Sequence, residues 1–254
     1  MKIVVVGGTG LIGSKLTEKL RGNGQQAEPA SPASGVNTIT GEGLAAALEG
    51  VAVVIDVTNS PSFEEAAALR FFRTSTRNLL KAEATASVSH HVALSVVGTE
   101  RLSESGYFRA KIAQEELIEG ASIPYSIVHA TQFFEFIERI ADDATDGDTV
   151  RLAPVFVQPI AADDVASAVC RIAVGSPVNG IVEVAGPQMF RLDELVRRFL
   201  SARHDPRDVV TDPEARYSGA KLSERTLVPN DDAIMAETRF EDWVDGAATK
   251  TPAS

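Results

Sequence analysis

Two residues of the segment GYFRAK, at positions 106–111, could together transfer a proton. Tyr107 and Lys111 stand four residues apart, which on a helix places both side chains on one face, one turn apart. A phenol next to an ammonium can act as a general acid toward a carbonyl oxygen. The same residues could equally be solvated positions on a helix surface. The segment YSGAK repeats the spacing with Tyr217 and Lys221, so the spacing alone does not select a pair.

The surroundings of the two pairs favour the first one. Ser95 stands twelve residues before Tyr107 in HVALSVV, an apolar stretch that predicts a strand. In a doubly wound sheet, ligands bind at the carboxyl ends of the strands, where Ser95, Tyr107 and Lys111 can converge. Tyr217 has no such serine, and a glycine interrupts the turn that follows it. We therefore interpret Tyr217 as an aromatic residue of a lid or substrate pocket, and Lys221 as a solvated charge.

Apolar segments of strand length alternate with helical patterns along most of the chain, which indicates an α/β fold with a doubly wound parallel sheet. The predicted strands are 2–6, a short one ending near Ala30, 51–58, 91–97, 125–130 and 181–185. The predicted helices are 11–21, 63–86, 107–119, 163–174, 192–202 and 239–246. We expect a single domain over 1–254, in which 187–254 form a smaller lid or substrate region. Ser62 is the predicted N-cap of the second long helix, and Asp163 and Asp164 are predicted N-caps of a later one.

The segment GGTGLIG directly follows the first predicted strand and opens the first helix. It fits the pattern G-x-x-G-x-x-G through Gly7, Gly10 and Gly13. Glycines allow a tight turn and a close approach of the backbone to a pyrophosphate, while the helix N-terminus offers free N–H groups to the anion. This context predicts a dinucleotide-binding loop formed by Gly7, Thr9, Gly10, Leu11, Ile12 and Gly13.

The choice between NAD and NADP depends on the end of the second strand. An acidic residue there would favour NAD by binding the ribose hydroxyls, and Glu28 is the only candidate. If the strand runs through Ala30, Ser31 lies at its tip, where a small hydroxyl side chain tolerates a 2′-phosphate. No arginine follows to bind that phosphate. The sequence favours NADP and leaves NAD open.

Composition argues against several other classes of protein. The net charge is −11, with 24 basic against 35 acidic residues, which disfavours nucleic-acid binding. Cys170 is the single cysteine, so no intrachain disulfide can form, as is typical of a reducing compartment. His90 and His91 are neighbours on a predicted strand and point to opposite faces, so we expect no metal site. Without a secretion signal or a membrane-length apolar stretch, we expect a cytoplasmic protein that does not bind membranes.

Taken together, these motifs resemble the short-chain dehydrogenase/reductase superfamily in its atypical, NmrA-like branch. The resemblance covers roughly residues 2–200 and rests on GGTGLIG, ALSVVG, GYFRAK, IVHATQFFEF, PIAADDVA and EVAGP. It implies a Rossmann fold that binds NADP or NAD. It also implies that Tyr107 is the general acid, that Lys111 binds the nicotinamide ribose and lowers the tyrosine pKa, and that Ser95 hydrogen-bonds the carbonyl. The loop containing Thr58 and Asn59 would border the adenine ribose.

The segment HATQFFEF follows a predicted strand and carries three phenylalanines. Phe133 is expected to wall the nicotinamide, and Phe134 and Phe136 an apolar substrate, although packing in the core is an equal alternative. His129 stands where the family often has arginine, and a structural role is the safer interpretation.

The function that follows is an NAD(P)H-dependent reductase of a carbonyl or quinone on an apolar small molecule. The resemblance further implies an aromatic polyketide-type substrate, whose ring a partner oxygenase would hydroxylate. Many NmrA-like proteins lack the tyrosine and sense the cofactor without turnover, so a redox sensor is the main alternative. An epimerase, which consumes no net cofactor, is a third interpretation. The sequence does not fix the oligomeric state.

Overall fold

A computed structural model describes residues 1–248 of the protein. The strands are β1 (Lys2–Val6), β2 (Gln26–Ala30), β3 (Val53–Asp56), β4 (His90–Val96), β5 (Tyr125–Ala130), β6 (Thr145–Asp146), β7 (Thr149–Leu152), β8 (Phe156–Val157), β9 (Ile181–Ala185), β10 (Phe190–Arg191), β11 (Asp208–Thr211), β12 (Arg216–Tyr217), β13 (Ala220–Lys221) and β14 (Ile234–Met235). The helices are α1 (Leu11–Gly22), α2 (Leu44–Ala47), α3 (Glu65–Ala86), α4 (Gly106–Glu119), α5 (Ile137–Asp143), α6 (Ala162–Val174), α7 (Leu192–Ala202) and α8 (Phe240–Ala248).

Seven strands form the main sheet in the order β14-β9-β5-β4-β3-β1-β2. β1 lies between β2 and β3 and is parallel to both, so the direction of winding reverses at β1. The α/β class with a doubly wound parallel sheet is therefore confirmed. The uncertain second strand ends at Ala30 as expected, whereas β3 stops at Asp56, two residues earlier than predicted.

The chain divides into two compact units. The first contains Met1–Ser95, Gly106–His129 and Val165–Val182, and the second contains Val96–Ser105, Ala130–Asp164 and the chain from Glu183 onward. The C-terminal stretch predicted as a lid thus shares its unit with two internal segments.

In the first unit, one face of β1 packs under α2 and α3. Val4 and Val6 are buried in a cluster with Leu44 of α2 and Leu79 of α3. Burial of each such aliphatic side chain contributes about 1.5–3 kcal/mol. The alternation of side chains along the strand directs every second residue toward this layer.

α3 and α4 pack closely against each other in the same unit, through Ala68, Phe72 and Ala110. At the start of α4, a Cβ on Gly106 would lie 2.4 Å from Cβ of Glu65, so only glycine fits. This contact fixes the first turn of α4, the turn that carries Tyr107.

Two predicted helix caps are wrong. α3 begins at Glu65, so its N-cap is Glu64 instead of Ser62, and the Glu64 carboxylate accepts hydrogen bonds from the N–H groups of Ala66 and Ala67 at 3.0 and 2.9 Å. These two bonds hold the pKa of Glu64 below its ordinary value. α6 begins at Ala162, which places Asp163 and Asp164 inside its first turn. Carboxylates there interact favourably with the positive end of the helix dipole.

The second unit has an aromatic cluster of its own. Phe134 packs against Phe240 and Trp243, with ring centroids 5.7 and 5.3 Å away, and the Trp243 indole N–H donates to Glu135 at 3.2 Å. Phe199 also stacks on Trp243, with ring centroids 6.2 Å apart. The expected final helix with Trp243 is confirmed as α8.

The YSGAK segment, also in the second unit, forms a hairpin between β12 and β13. Ser218 and Gly219 take positive φ angles of 49° and 85° at its turn, so Tyr217 and Lys221 do not share a helix face. Lys221 is exposed and pairs with Glu214 at 2.8 Å, as expected of a solvated charge.

The adjacent histidines point to opposite sides of β4, as the alternation predicts. His90 Nε2 lies 2.9 Å from Ser126 Oγ, and His91 Nδ1 lies 2.9 Å from Glu83 Oε1. Among residues 1–248 no group of three or more His, Cys, Asp or Glu side chains could hold a metal ion. Over the same range, no helix combines the length and the apolar character that crossing a bilayer requires.

The turn between β1 and α1 depends on glycine at two close approaches. Gly7 has a φ of 80°, and its N–H donates to Ala30 O at 2.9 Å. A Cβ on Gly8 would lie 2.5 Å from Pro29 Cβ, and a Cβ on Gly13 would lie 2.2 Å from Gly7 O. The backbone of α1 therefore rests directly on the turn.

We expect Gly13→Ala to lower the free energy of unfolding by at least about 2 kcal/mol, because the added methyl group collides with backbone atoms that cannot move independently. Urea unfolding followed by circular dichroism measures the change. Gly22→Ala, in the same helix, is the matched control, since nothing lies within 4 Å of its Cβ position. That change should stabilise the protein by about 0.5–1 kcal/mol. Equal effects of the two substitutions would show that the close approach is not a constraint.

Candidate functional site

The turn after β1 meets the turn after β3 at the point where the strand order reverses. A Cβ on Gly7 would lie 3.1 Å from both Thr58 N and Val57 O, so these two backbones touch. Thr9, Gly10 and Leu11 are exposed at the start of α1, while Ile12 is buried and anchors the turn. The first N–H groups of a helix have no intrahelical acceptor, and the first turn of α1 contains no carboxylate. This surface suits an anion such as a pyrophosphate.

Ser31 is the first residue after β2 and is 7% exposed. Its backbone N–H donates to Ser34 Oγ at 2.9 Å, and the preceding carbonyl, of Ala30, accepts from Gly7. The predicted position of Ser31 at the tip of the second strand is therefore correct. Its role in choosing NADP over NAD stays a prediction.

Tyr107 is the second residue of α4 and is partly buried. Its hydroxyl donates to Asn59 Oδ1 at 3.0 Å, and its ring stacks on Phe63 with centroids 4.9 Å apart. The structure thus brings together a predicted proton donor and a predicted cofactor residue. To donate its proton to a ligand, Tyr107 must exchange Asn59 for that ligand.

Lys111 lies one turn further along α4 and is 2% exposed. Its ammonium donates to Leu94 O at 3.0 Å and to Gln114 Oε1, and it lies 4.7 Å from the centre of the Phe72 ring. Burial lowers the pKa of Lys111 to about 8, against the opposing charges of Asp56 and then Glu115. The ammonium is therefore mostly charged at neutral pH.

A hydrogen-bonded chain continues from Lys111 to the turn after β3. Gln114 Nε2 donates to Asp56 Oδ2 at 3.1 Å, and Asp56 Oδ1 accepts from Thr58 N at 2.9 Å and from Thr58 Oγ1 at 2.6 Å. Asp56 and Gln114 are each 1% exposed. Hydrogen bonds thus connect the Lys111 ammonium, through Gln114 and Asp56, to the backbone N–H of Thr58, the residue next to Asn59.

Ser95 is buried near the carboxyl end of β4, and its hydroxyl donates to Glu115 Oε1. His129 Nε2 lies 3.1 Å from the same carboxylate oxygen. Burial acts to raise the pKa of Glu115, but the hydrogen bonds from His129 and Ser95 and the charge of Lys111 outweigh it and lower the pKa below its ordinary value. Because the carboxylate takes the only Ser95 proton, the Ser95 oxygen offers lone pairs to any further partner.

Sequence reasoning missed Glu115, Gln114 and Asp56. Glu115 follows Lys111 by four residues, so the rule that linked Tyr107 to Lys111 also extends to it. Asp56 is an acidic residue inside an otherwise apolar strand, which is a signal in itself because buried carboxylates are rare. Gln114 has no comparable signal.

The remaining predicted residues belong to the second unit. Phe134 is 1% exposed within the aromatic cluster, so core packing, the alternative to a substrate contact, is correct for it. Phe133 and Phe136 stack on each other at 5.3 Å, and Phe136 is 43% exposed.

Burial raises the pKa of Tyr217 to about 12, so its hydroxyl stays protonated.

Comparison with known proteins supports the fold. No family model matches the chain, and no curated protein matches it. Among solved structures, a short-chain dehydrogenase/reductase superfamily protein from Agrobacterium tumefaciens with bound NAD is 15% identical, with 98% of this chain and 96% of that chain covered and a TM-score of 0.72.

Two further solved structures are similar at comparable identity. An NADPH-dependent quinone oxidoreductase from Escherichia coli is 15% identical, with 97% of this chain and 99% of that chain covered and a TM-score of 0.67. A UDP-N-acetylglucosamine 4-epimerase from Bacillus cereus is 18% identical, with 84% and 88% covered and a TM-score of 0.65. The class that these likenesses define is the Rossmann-type α/β fold.

We expect Glu115→Leu to lower the free energy of unfolding by about 2–3 kcal/mol, because buried polar groups of Ser95 and His129 then lose their shared acceptor. Chemical denaturation measures the loss. Glu116→Leu is the matched control on the same helix, since Glu116 is exposed, and its effect should stay within about 0.5 kcal/mol. If Glu115→Leu is as harmless as the control, the Ser95–Glu115–His129 contacts contribute nothing to stability.

Proposed function

We propose that the protein is an NAD(P)H-dependent reductase of the short-chain dehydrogenase/reductase type, acting on a carbonyl or quinone group of an apolar substrate. The observation that carries this proposal is the arrangement in the first unit, where Tyr107 meets the turn that adjoins the glycine loop and Lys111 lies one helical turn away. The similar quinone oxidoreductase and the NAD-bound superfamily protein support it.

The residues present suit a dinucleotide. Gly7 and Gly13 let the backbones of the turn, of residues 57–58 and of α1 approach one another closely, and the start of α1 offers N–H groups without a competing carboxylate. Gly7, Thr9, Gly10, Leu11, Ile12 and Gly13 would hold the pyrophosphate, with Ser31, Thr58 and Asn59 beside the adenosine. When bound, the reduced nicotinamide supplies a hydride to the carbonyl carbon.

Side chains of this protein supply the proton that the reduced oxygen takes up and stabilise the groups that result. Tyr107 donates its phenolic proton to the oxygen that becomes negative, which leaves a phenolate and an alcohol. The buried Lys111 ammonium favours that phenolate by its charge. Ser95, whose proton is held by Glu115, accepts a hydrogen bond from the hydroxyl group so formed. Phe133, Phe136 and Tyr217 are the proposed residues for cofactor and substrate in the second unit.

The resemblance to NmrA-like reductases supports an aromatic polyketide-type substrate. Reduction of a quinone would then give a hydroquinone, which a separate partner oxygenase would hydroxylate.

A redox-sensing protein that binds the dinucleotide without turnover is the second candidate. The observation that favours it is the hydrogen bond from Tyr107 to Asn59, which occupies the only proton that the reductase would donate. The similarity to a 4-epimerase supports a third candidate, in which no net cofactor is consumed.

We expect NADPH oxidation with at least one member of a panel of quinones and ketones, followed by the absorbance of the reduced nicotinamide. Tyr107→Phe should lower kcat/KM by about 10²–10⁴-fold, because it removes the proton donor without removing the ring. Tyr125→Phe is the matched control, since Tyr125 lies on β5 and packs beside Ile118 and Ile127 in the core. Tight NADPH binding without turnover, and without any effect of Tyr107→Phe, would indicate the sensor. Conversion of a substrate without loss of NADPH would indicate the epimerase.

A further inference from the structure

The first unit contains a buried hydrogen-bonded chain whose middle members, Gln114 and Asp56, take part in none of the proposed catalytic steps. It runs from the Lys111 ammonium through the Gln114 amide to the Asp56 carboxylate and ends on the backbone and hydroxyl of Thr58. Lys111, Gln114 and Asp56 are each at most 2% exposed. These contacts are therefore shielded from water in the folded protein.

The chemistry of the groups sets the direction of every bond in the chain. An ammonium only donates, so the Gln114 side chain must present its oxygen to Lys111. Its NH₂ group is then left to face Asp56, which as a carboxylate only accepts. The neutral amide thus connects a buried cation to a buried anion in one orientation.

A buried ammonium needs a compensating negative charge, since its hydration is lost. Two carboxylates oppose the lowering of the Lys111 pKa by burial, and Asp56 has the larger effect, before Glu115. Of these two, Glu115 is already engaged by Ser95 and His129. Asp56 is also close to the buried Glu83–His91 pair, so these are the charged groups around the chain.

Asp56 also acts on the other side of the site. Its second oxygen fixes Thr58, the residue next to Asn59, and Asn59 accepts the hydrogen bond from Tyr107. The same carboxylate therefore holds both the charge of Lys111 and the turn that contacts Tyr107.

We propose that Asp56, acting through Gln114, is a positioning residue that keeps Lys111 charged and holds residues 57–59 against Tyr107. Its effect on the rate rests on the proposed function, whereas its effect on the charge of Lys111 does not require turnover. Asp56 itself touches neither cofactor nor substrate in this assignment.

The experiment is an NMR titration of the Lys111 side chain in the full-length protein labelled with ¹⁵N-lysine, with Lys111→Met to assign the signal. The wild-type ammonium should titrate with a pKa of about 8. Asp56→Asn should lower this midpoint by about one pH unit or more, because it removes the strongest opposing charge without changing the shape. Gln114→Met, which removes the acceptor but keeps the volume, should lower it as well and decides the matter if Asp56→Asn does not fold.

Glu65→Gln is the matched control, because Glu65 is an exposed carboxylate that pairs with Arg109, and Arg109 lies on α4 together with Lys111. Its Lys111 midpoint should stay within a few tenths of a unit of the wild type, since exposed charges are screened. An unchanged midpoint in Asp56→Asn or Gln114→Met overturns the proposal, and so does an equal shift in Glu65→Gln.

Turnover then separates this inference from the proposed function. If the protein reduces a quinone or ketone, the pH profile of kcat should shift downward in Asp56→Asn together with the Lys111 midpoint. If no substrate is turned over but the midpoint shifts, the reductase fails and the role of Asp56 stands. If a substrate is turned over but the Lys111 midpoint does not shift in Asp56→Asn, the role of Asp56 is overturned and the proposed reductase stands.

Discussion

The first unit is arranged around one buried charge, the ammonium group of Lys111 on α4. Lys111 lies against the Phe72 ring and the Leu94 carbonyl, and it is linked to Asp56, the carboxylate that opposes its burial most strongly, through the Gln114 amide. Such a group is stable only where the surrounding strands and helices hold complementary partners at fixed positions. The close packing of α3 and α4 and the parallel alignment of β3 with β4 supply that geometry. The placement of Tyr107 follows from the same contacts, because it stands on the same helix.

Tyr107 illustrates how one geometry serves two of the proposed functions. Its hydroxyl is hydrogen-bonded to Asn59, on the turn that adjoins the glycine loop, so a ligand on this loop would lie next to the turn that holds the tyrosine. In a reductase this coupling would prepare the acid for the substrate. In a sensor it would report occupancy of the loop through the position of residues 57–59. The two functions differ in whether a substrate replaces Asn59 as the partner of the Tyr107 hydroxyl, not in the architecture around it.

Much of this could be predicted from local sequence. The glycine turn is encoded at Gly7, Gly10 and Gly13, and the alternation of apolar strands with helices indicates the sheet, because both signals are contained within a few neighbouring residues. Contacts that depend on which strands become neighbours could not be predicted in this way. Asp56 and Lys111 are far apart in the sequence, and nothing local links them.

Smaller errors have the same origin. The cap of α3 moved from Ser62 to Glu64 because the helix starts later than its apolar pattern suggests. Phe134 could not be separated from its exposed neighbour Phe136 without knowing where Phe240 and Trp243 would pack. Spacing indicates which residues can share a face, but not which face becomes the interior.

The strand order also has a consequence for solubility. The main sheet ends in β2 on one side and β14 on the other. An open sheet edge is a template on which another chain can add a strand, and proteins protect such edges with proline, charge or very short strands. β2 carries Pro29, which has no N–H to offer, next to the exposed carboxylate of Glu28, and β14 is only two residues long. Both margins of the sheet are therefore poor starting points for aggregation.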